Sequence, residues 1–586
     1  MLPERIEDAF LEAAEVDGLG VGFWLGPGRI DHWTYRKLAT EATAFAAGLQ
    51  SRGIRPGQRV ALVLSTGPEF YIAWFGCILA GAVPTALYPP ARLGRVAEWR
   101  TRTAQMLSTS SSVMVVTEPR LYAFLGAPVA EADPEHGCTD VATLVELGRD
   151  QQLQTGHSGE LAAVQFSSGS TGKPKPVALS HSNMLSNARS ILSRLPGDPS
   201  KHHGVSWLPL YHDMGLIGCL LAALVGKTQI TMLRPEHFVA NPVSWLQAIS
   251  ETRATVSVAP NFAFGLTEKR VRDSQLENLD LSSWSVAMCG AEPVHPDTLD
   301  RFVSKFAPCG FRREAITPVY GLAEATLAVS FSPVATAPRW TVFEREALES
   351  NRQAIAADQG LRVASLGTPL DCQIEIRNEA GCKLPEQKVG AIHLRGPGVM
   401  LGYLDQPKET SKAIDPEGWL NTGDVGFLYQ GELYLCGRAK DLVIIRGRNH
   451  DPAFIEQGLE GVEGVREGCS AAFAVLPEEA DTEAIVVVAE RHKNSTVDND
   501  LLRANCLEAI QEATSLKVHD VQLVEPGTLP RTSSGKIRRS TTRQLYLSSQ
   551  LSAPERANLR LVVREQARGY FHHTLRRLRG PARKSA

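Results

Sequence analysis

Five short segments of this 586-residue chain bring together residue types that do chemistry. The densest is Phe166-Ser167-Ser168-Gly169-Ser170-Thr171-Gly172-Lys173-Pro174-Lys175-Pro176. Its glycines let backbone N–H groups approach an anion, its hydroxyls donate hydrogen bonds and its lysines offset negative charge. That combination predicts a phosphate-binding loop, with a serine-rich turn as the plainer alternative. It is not a Walker loop, because Pro174 follows Gly172-Lys173 and position 167 is serine rather than glycine. The other four are Pro318-Val319-Tyr320-Gly321-Leu322-Ala323-Glu324, then Trp419-Leu420-Asn421-Thr422-Gly423-Asp424, then Gly437-Arg438-Ala439-Lys440-Asp441 running on to Asn449-His450, and finally Leu529-Pro530-Arg531-Thr532-Ser533-Ser534-Gly535-Lys536. Any one of these fits a turn with a structural charge. All five in this order point to one site.

The elements that must position these segments follow from apolar periodicity. Strands are expected at 60–64, 113–116, 205–208, 229–233, 255–259 and 286–289, with helices between them such as 93–107 and 296–306. This alternation predicts α/β layers around mostly parallel sheets. Residues 368–436 change character to short strands at 372–376, 391–395 and 433–436 between glycine and proline turns, the pattern of a small β subdomain or barrel. Beyond residue 437 an α+β unit is expected, with strands at 442–445, 471–475, 484–488 and 521–524 and helices at 452–459 and 499–513. Residues 70–91 carry no charge, but Gly81, Pro84, Pro89 and Pro90 would break a spanning helix. A buried helix at 69–80 and a buried strand at 83–87 are expected instead of an integral membrane segment.

Composition narrows the class. Apolar residues make up 43%, charged residues 21%, and the net charge is −3, so the chain is globular and has no coat for nucleic acid. The ten cysteines show no C-x-x-C or zinc spacing and the N-terminus no signal peptide, so reduced thiols and a cytoplasmic location are expected. Residues 551–586 hold nine basic and two acidic side chains, a local charge of +7 that leaves −10 on the rest of the chain. Arg556, Arg560, Arg564 and Arg568 recur every four residues, which makes either a solvated tail or a docking face for an acidic partner.

Together the five segments resemble the adenylate-forming superfamily, which includes acyl-CoA synthetases, luciferases and peptide synthetase adenylation domains. The resemblance spans about residues 20–545 and is strongest to the fatty acyl-AMP ligases. Leu210-Tyr211-His212-Asp213-Met214-Gly215, Cys289-Gly290-Ala291-Glu292-Pro293 and Tyr320-Gly321-Leu322-Ala323-Glu324-Ala325-Thr326 carry it, as does Lys440-Asp441-Leu442-Val443-Ile444-Ile445. Ala323 stands before the glutamate, as in those ligases, where the wider superfamily has threonine.

The resemblance implies a fold: a large N-terminal domain over residues 1–437, with two α/β sheet subdomains and a small β-barrel, and a mobile α+β domain over 438–545. A basic tail follows over 546–586. It also implies ATP and Mg²⁺, and a fatty acid activated as its adenylate with release of pyrophosphate. The acyl group would then pass to the phosphopantetheine thiol of a separate acyl carrier protein. An acyl-CoA ligase and an inactive adenylate-binding homologue are the competing readings. In the implied site Ser167, Ser168, Gly169, Ser170, Thr171, Gly172 and Lys173 hold phosphate, and Glu324 binds Mg²⁺. Asp424 takes the ribose hydroxyls and Arg438 the ribose or phosphate. Tyr320 and Gly321, with Gly290, Ala291 and Glu292, line the adenine. Lys536 meets the carboxylate and α-phosphate, His212 borders the acyl channel as a catalytic residue, Asp213 joins the cofactor-binding set, and Lys440 is the hinge. Apolar walls are expected from 208–217, 262–266 and 326–331. Two features need the structure. Asp451 stands where the ligases have tyrosine, and 343–363 occupies the place of a ligase-type insertion, although its polar, alanine-rich sequence also fits a surface hairpin or helix.

Overall fold

The computed structural model describes residues 2–90, 93–154, 159–167, 174–445, 448–477, 483–532 and 535–554, together with 567, 569 and 572. The glycine-rich positions Ser168, Gly169, Ser170, Thr171, Gly172 and Lys173, and nearly all of the basic tail, lie outside the described residues.

Two sheets share one continuous apolar core. The seven-stranded sheet runs Gly402–Tyr403, Lys175–Ser180, Leu161–Ser167, Val83–Leu87, Arg59–Val63, Met114–Thr117, Cys138–Asp140. It is parallel from Leu161–Ser167 onward, while Lys175–Ser180 turns back antiparallel across the glycine-rich loop. The nine-stranded sheet runs Thr368–Pro369, Ala328–Phe331, Ile316–Gly321, Val286–Cys289, Val256–Ala259, His203–Ser206, Gln229–Met232, Gly20–Gly26, Arg29–Thr34. Its interior is parallel and its ends antiparallel. The alternating strands and helices read from the sequence thus form two layered sheets, as buried parallel strands require.

The uncharged stretch is the helix Pro68–Leu79 followed by the strand Val83–Leu87, with Phe70, Tyr71, Trp74 and Phe75 fully buried. No helix among the described residues is long and apolar enough to cross a membrane. The strand expected at 205–208 lies two residues earlier, at His203–Ser206. His203 joins the ladder opposite Gln229, and its ring finds Thr231 Oγ1 at 2.9 Å, so an interior polar residue is satisfied where the apolar pattern excluded it. Trp207 and Leu208 are then released as the loop that leads to His212.

Residues 373–438 form an antiparallel sheet ordered Gln373–Arg377, Gly390–Arg395, Leu420–Tyr429, Glu432–Arg438. The segment 343–363 lies between two strands of a hairpin, Trp340–Phe343 against Leu361–Ala364, with the short helix Arg345–Glu349 in its loop. Phe343 packs edge-on against Phe427 and Tyr434 of the neighbouring sheet.

Past residue 438, the strands Val465–Val475, Ala484–Arg491 and Val518–Val524 form a sheet flanked by the helices Pro452–Gln457, Asn499–Thr514 and Arg539–Leu547. Its core is a separate cluster that includes Ile455, Val487, Cys506 and Ile510. A unit with its own apolar core can move as a body. Gly437, at the junction, has φ +113, and a Cβ there would lie 3.0 Å from the Asp451 carboxyl group.

Candidate active site

A cleft of about 1870 Å³ runs between the two sheets and beneath the C-terminal unit. His212, Asp213, Glu292, Tyr320, Glu324, Asp424, Arg438 and Lys536 all line it. They come from six chain segments up to 324 positions apart, so only the fold brings them together.

His212 and Asp213 open a π-helix, Met214–Leu221. Such helices are rare and concentrate at functional sites. His212 Nδ1 lies 2.6 Å from Asp213 Oδ1, which also accepts the Met214 N–H at 2.7 Å. Burial pushes the Asp213 carboxyl up, but His212, Lys536 and that N–H outweigh it and hold the group below its ordinary value. Asp213 is therefore a fixed anion that orients the His212 ring.

Asp424 and Arg438 face each other across adjacent strands. Arg438 Nε lies 3.3 Å from Asp424 Oδ1, and the Tyr320 hydroxyl donates to Asp424 Oδ2 at 2.6 Å. Asp424 is buried, and desolvation raises its carboxyl above the usual value against the pull of Arg438, Tyr320 and Lys536. Tyr320 was expected to offer its ring to a flat base. Its hydroxyl also does work, because it fixes the carboxylate.

Glu324 sits in a tight turn after the strand Ile316–Gly321. Its Oε1 accepts from the Ser167 hydroxyl at 3.0 Å and from the Tyr403 hydroxyl at 3.1 Å. The ring of Tyr403 in turn carries Lys175 Nζ at 4.4 Å from its centroid. Tyr403 was missed in the sequence, because no spacing rule ties position 403 to 324. Pairing of Gly402–Tyr403 with Val177 and Ala178 delivers it.

Glu292 accepts the Phe262 N–H at 3.1 Å and so braces the Gly290-Ala291-Glu292 turn. Ala291 holds φ +67, and a Cβ at Gly290 would meet the Val319 carbonyl at 2.6 Å. The turn thus lies against the strand that carries Tyr320.

Lys536 closes a turn in which its N–H donates to Thr532 Oγ1 at 3.0 Å and the Thr532 N–H donates to its carbonyl at 2.7 Å. Desolvation and the nearby Arg438 depress its ammonium, while Glu292, Asp213 and Asp424 support the charge. One lysine thus feels groups from three N-terminal segments.

The apolar part of the cleft is lined by Met214, Phe262, Leu266, Leu327 and Phe331, as expected from 262–266 and 326–331. Leu208, Leu216 and Ile217 do not line it and are buried instead, while Ile191, Trp207 and Val258 take that place. The π-helix turns residues 216–217 inward to the core.

Asp451 lines the cleft at the position where the ligases have tyrosine. It caps the helix Pro452–Gln457 through the Ala453 N–H at 3.0 Å. Burial pushes its carboxyl up to about 6, with Glu456 and Asp441 adding to the shift and Arg539 and the cap opposing it. The native state therefore prefers the protonated form. Its contribution is intact in acid and declines as pH rises from the ordinary carboxylate range through about 6. Asn caps as well as Asp. Asp451→Asn should stabilise the protein by on the order of 1–2 kcal/mol near pH 8 and not at all below pH 4. Thermal unfolding at the two pH values checks it, and equal melting points at both would refute the assignment.

Among the described residues, no group of three or more His, Cys, Asp or Glu is placed to hold a metal. A single carboxylate, Glu324, fits a cation that keeps most of its waters and takes its other ligands from substrate phosphates, which is the habit of Mg²⁺.

An AMP-binding enzyme family profile matches residues 20–404. A Caulobacter vibrioides protein provisionally named an acyl-CoA synthetase is 34% identical over 522 residues, covering 88% of this chain and 90% of the relative. The medium-chain-fatty-acid–[acyl-carrier-protein] ligase JamA of Moorena producens is 35% identical over 545 residues, covering 90% of this chain and 92% of JamA. A solved fatty acyl-adenylate ligase, of those from E. coli and L. pneumophila, superposes with a TM-score of 0.86 at 34% identity, covering 93% of this chain and 98% of that one. The chain belongs to the AMP-binding, adenylate-forming enzymes, on their fatty acyl-AMP ligase branch.

Proposed function

We propose that this enzyme joins a fatty acid to AMP and passes the acyl group to the phosphopantetheine thiol of a separate acyl carrier protein. The observation that carries the proposal is the placement of Lys536, from the C-terminal unit, in the cleft that also holds Glu324, Asp424 and His212-Asp213.

In the first step a carboxylate oxygen attacks the α-phosphorus of ATP. The bond from that phosphorus to the bridging oxygen breaks, and pyrophosphate leaves. Two anions must meet, so positioning and charge compensation do most of the work. Lys536 would hold the carboxylate and α-phosphate together, and the loop 167–173 would cradle the departing phosphates. Asp424, an acceptor-only group fixed by Tyr320 and Arg438, suits the ribose hydroxyls. Glu324 would hold Mg²⁺, whose charge, when bound, would offset that of the phosphates. The apolar part of the cleft takes the alkyl chain, at about 0.8 kcal/mol per buried CH₂. In the second step the thiol sulfur attacks the acyl carbonyl and AMP leaves.

Under this reading the residues after Arg438, up to 545, are the mobile domain and Lys440 its hinge, in a cytoplasmic protein, while Arg438 itself ends the strand Glu432–Arg438 on the N-terminal side. The 343–363 hairpin loop is the ligase-type insertion. It reaches the mobile unit by Glu346 to Arg448 at 3.1 Å and Glu349 to His450 at 3.1 Å, contacts that suit a restraint on domain motion. The name of the Caulobacter relative favours a second reading, with coenzyme A as the thiol. Mass spectrometry decides between them. With fatty acid, ATP and Mg²⁺, acyl-AMP should accumulate, and holo carrier protein should discharge it faster than coenzyme A does. Faster discharge by coenzyme A would make the enzyme an acyl-CoA ligase.

A further inference from the structure

The turn that carries Lys536 is gripped at both ends by one segment of the N-terminal domain. Arg95 closes a short 3₁₀ turn that runs into the helix Val96–Thr109. Its Nη2 donates to the carbonyls of Gly527 at 2.9 Å and Thr528 at 2.6 Å, on the stem that leads into the lysine turn. Its Nη1 lies 3.3 Å from Glu98. Glu98 in turn lies 3.5 Å from Arg538, two residues past the lysine. Between these anchors, the Arg538 N–H donates to the Pro530 carbonyl, which closes the loop.

The same helix reaches the cleft. Arg102 shares Glu98 at 3.3 Å, and the Trp99 indole donates to the Tyr88 carbonyl at 2.9 Å. The Tyr88 ring lies 6.3 Å from that of Tyr211, the neighbour of His212. One rigid helix therefore touches the wall of the site and the loop that completes it.

We infer that Arg95, braced by Glu98, is a positioning residue for the adenylation step: an interdomain clamp that seats the Lys536 turn over the bound carboxylate and ATP. The inference rests on the adenylation reading above. Arg95 does no chemistry itself. Its planar fork reaches two adjacent carbonyls and a carboxylate at once, which a lysine ammonium does not. Its bonds to Gly527 and Thr528 cross between the domains, so they belong only to the arrangement in which Lys536 faces the cleft. They favour that arrangement by their differential contact with it.

The test measures the two half-reactions separately. Fatty-acid-dependent ATP–pyrophosphate exchange should fall about tenfold to a hundredfold in Arg95→Ala, the scale of a misplaced catalytic group. The fall should appear in kcat, with KM for ATP and fatty acid close to wild type. Release of AMP from supplied acyl-adenylate by the acceptor thiol should not fall with it. Arg95→Lys should lie between, and it carries the test if the alanine variant does not fold. Wild-type exchange in Arg95→Ala, or in Arg95→Lys if that variant is needed, overturns the clamp. So does a parallel loss of both half-reactions. The wild-type protein and Lys536→Ala in the same assay separate the claims: no fatty-acid-dependent exchange in the wild type removes the adenylation reading, exchange retained in Lys536→Ala removes that lysine from the step and the clamp with it, and exchange lost there but kept in Arg95→Ala removes only the clamp.

Discussion

Lys536→Ala is expected to lower the rate of acyl-adenylate formation by about 10²–10³-fold, the scale of losing one preorganised charge-stabilising donor. ATP binding should be almost unchanged. The reason lies in how the site divides its tasks. On the proposed function Asp424, Tyr320 and Arg438 would anchor the nucleotide from the N-terminal side, joined by contacts of 2.6 and 3.3 Å that do not involve the lysine. Lys536 reaches the cleft from the C-terminal unit and, on the proposed function, would contribute where two anions approach. Its ammonium is depressed by desolvation and Arg438, and kept in place by Glu292, Asp213 and Asp424. A longer, planar guanidinium does not match a compact point charge, so Lys536→Arg should rescue poorly. Single-turnover formation of acyl-AMP, set beside equilibrium ATP binding, reads both effects. A near-normal rate in the alanine variant would remove Lys536 from the chemistry.

Asp424→Ala should act on the other parameter. Asp424 is 5% exposed and holds two partners, so its removal leaves the Tyr320 hydroxyl and the Arg438 guanidinium without their acceptor. The Arg438 side chain is 47% exposed, so water screens that half of the loss; hydrogen bonds to a charged acceptor are worth about 1.5–3 kcal/mol, so if Asp424 takes the ribose hydroxyls a rise in KM for ATP of about 10-fold to 10²-fold is expected. Tyr320→Phe removes one bond and keeps the carboxylate, so its rise should be far smaller. Steady-state kinetics with ATP varied at saturating fatty acid checks the pair. Equal effects in the two variants would mean that Asp424 acts only as a structural anchor for Tyr320.

The sequence and structure agree best where a function is local. The Lys536 turn, the Tyr320-to-Glu324 run and the Asp424 strand are each contiguous, so residue type and spacing exposed them. The buried strands Val83–Leu87 and Val286–Cys289 and the helix Pro296–Phe306 lie at their expected positions, because apolar runs and proline breaks mark their ends. What stayed hidden depends on long-range pairing. Tyr403 reaches Glu324 only through a two-residue strand set against Lys175–Ser180. Arg95 meets Gly527 and Thr528 across more than 430 positions. Ile191 and Trp207 line the cleft, while Leu216 and Ile217 are buried in a π-helix that no periodicity rule anticipates. Asp451 was read only as a departure from the ligase pattern, although Asp before Pro452 is also a local N-cap signal and the structure uses it so; its place beneath Gly437 needed the fold.

The central claim is that a fatty carboxylate attacks the α-phosphorus of ATP. It is tested most directly by following the carboxylate oxygens. Fatty acid labelled with ¹⁸O in both carboxylate oxygens is incubated with the enzyme, ATP, Mg²⁺ and an acceptor thiol, and the nucleotide product is weighed by mass spectrometry. The account predicts AMP that carries one ¹⁸O, with unlabelled pyrophosphate beside it. ADP with labelled inorganic phosphate, or AMP without label, would contradict it.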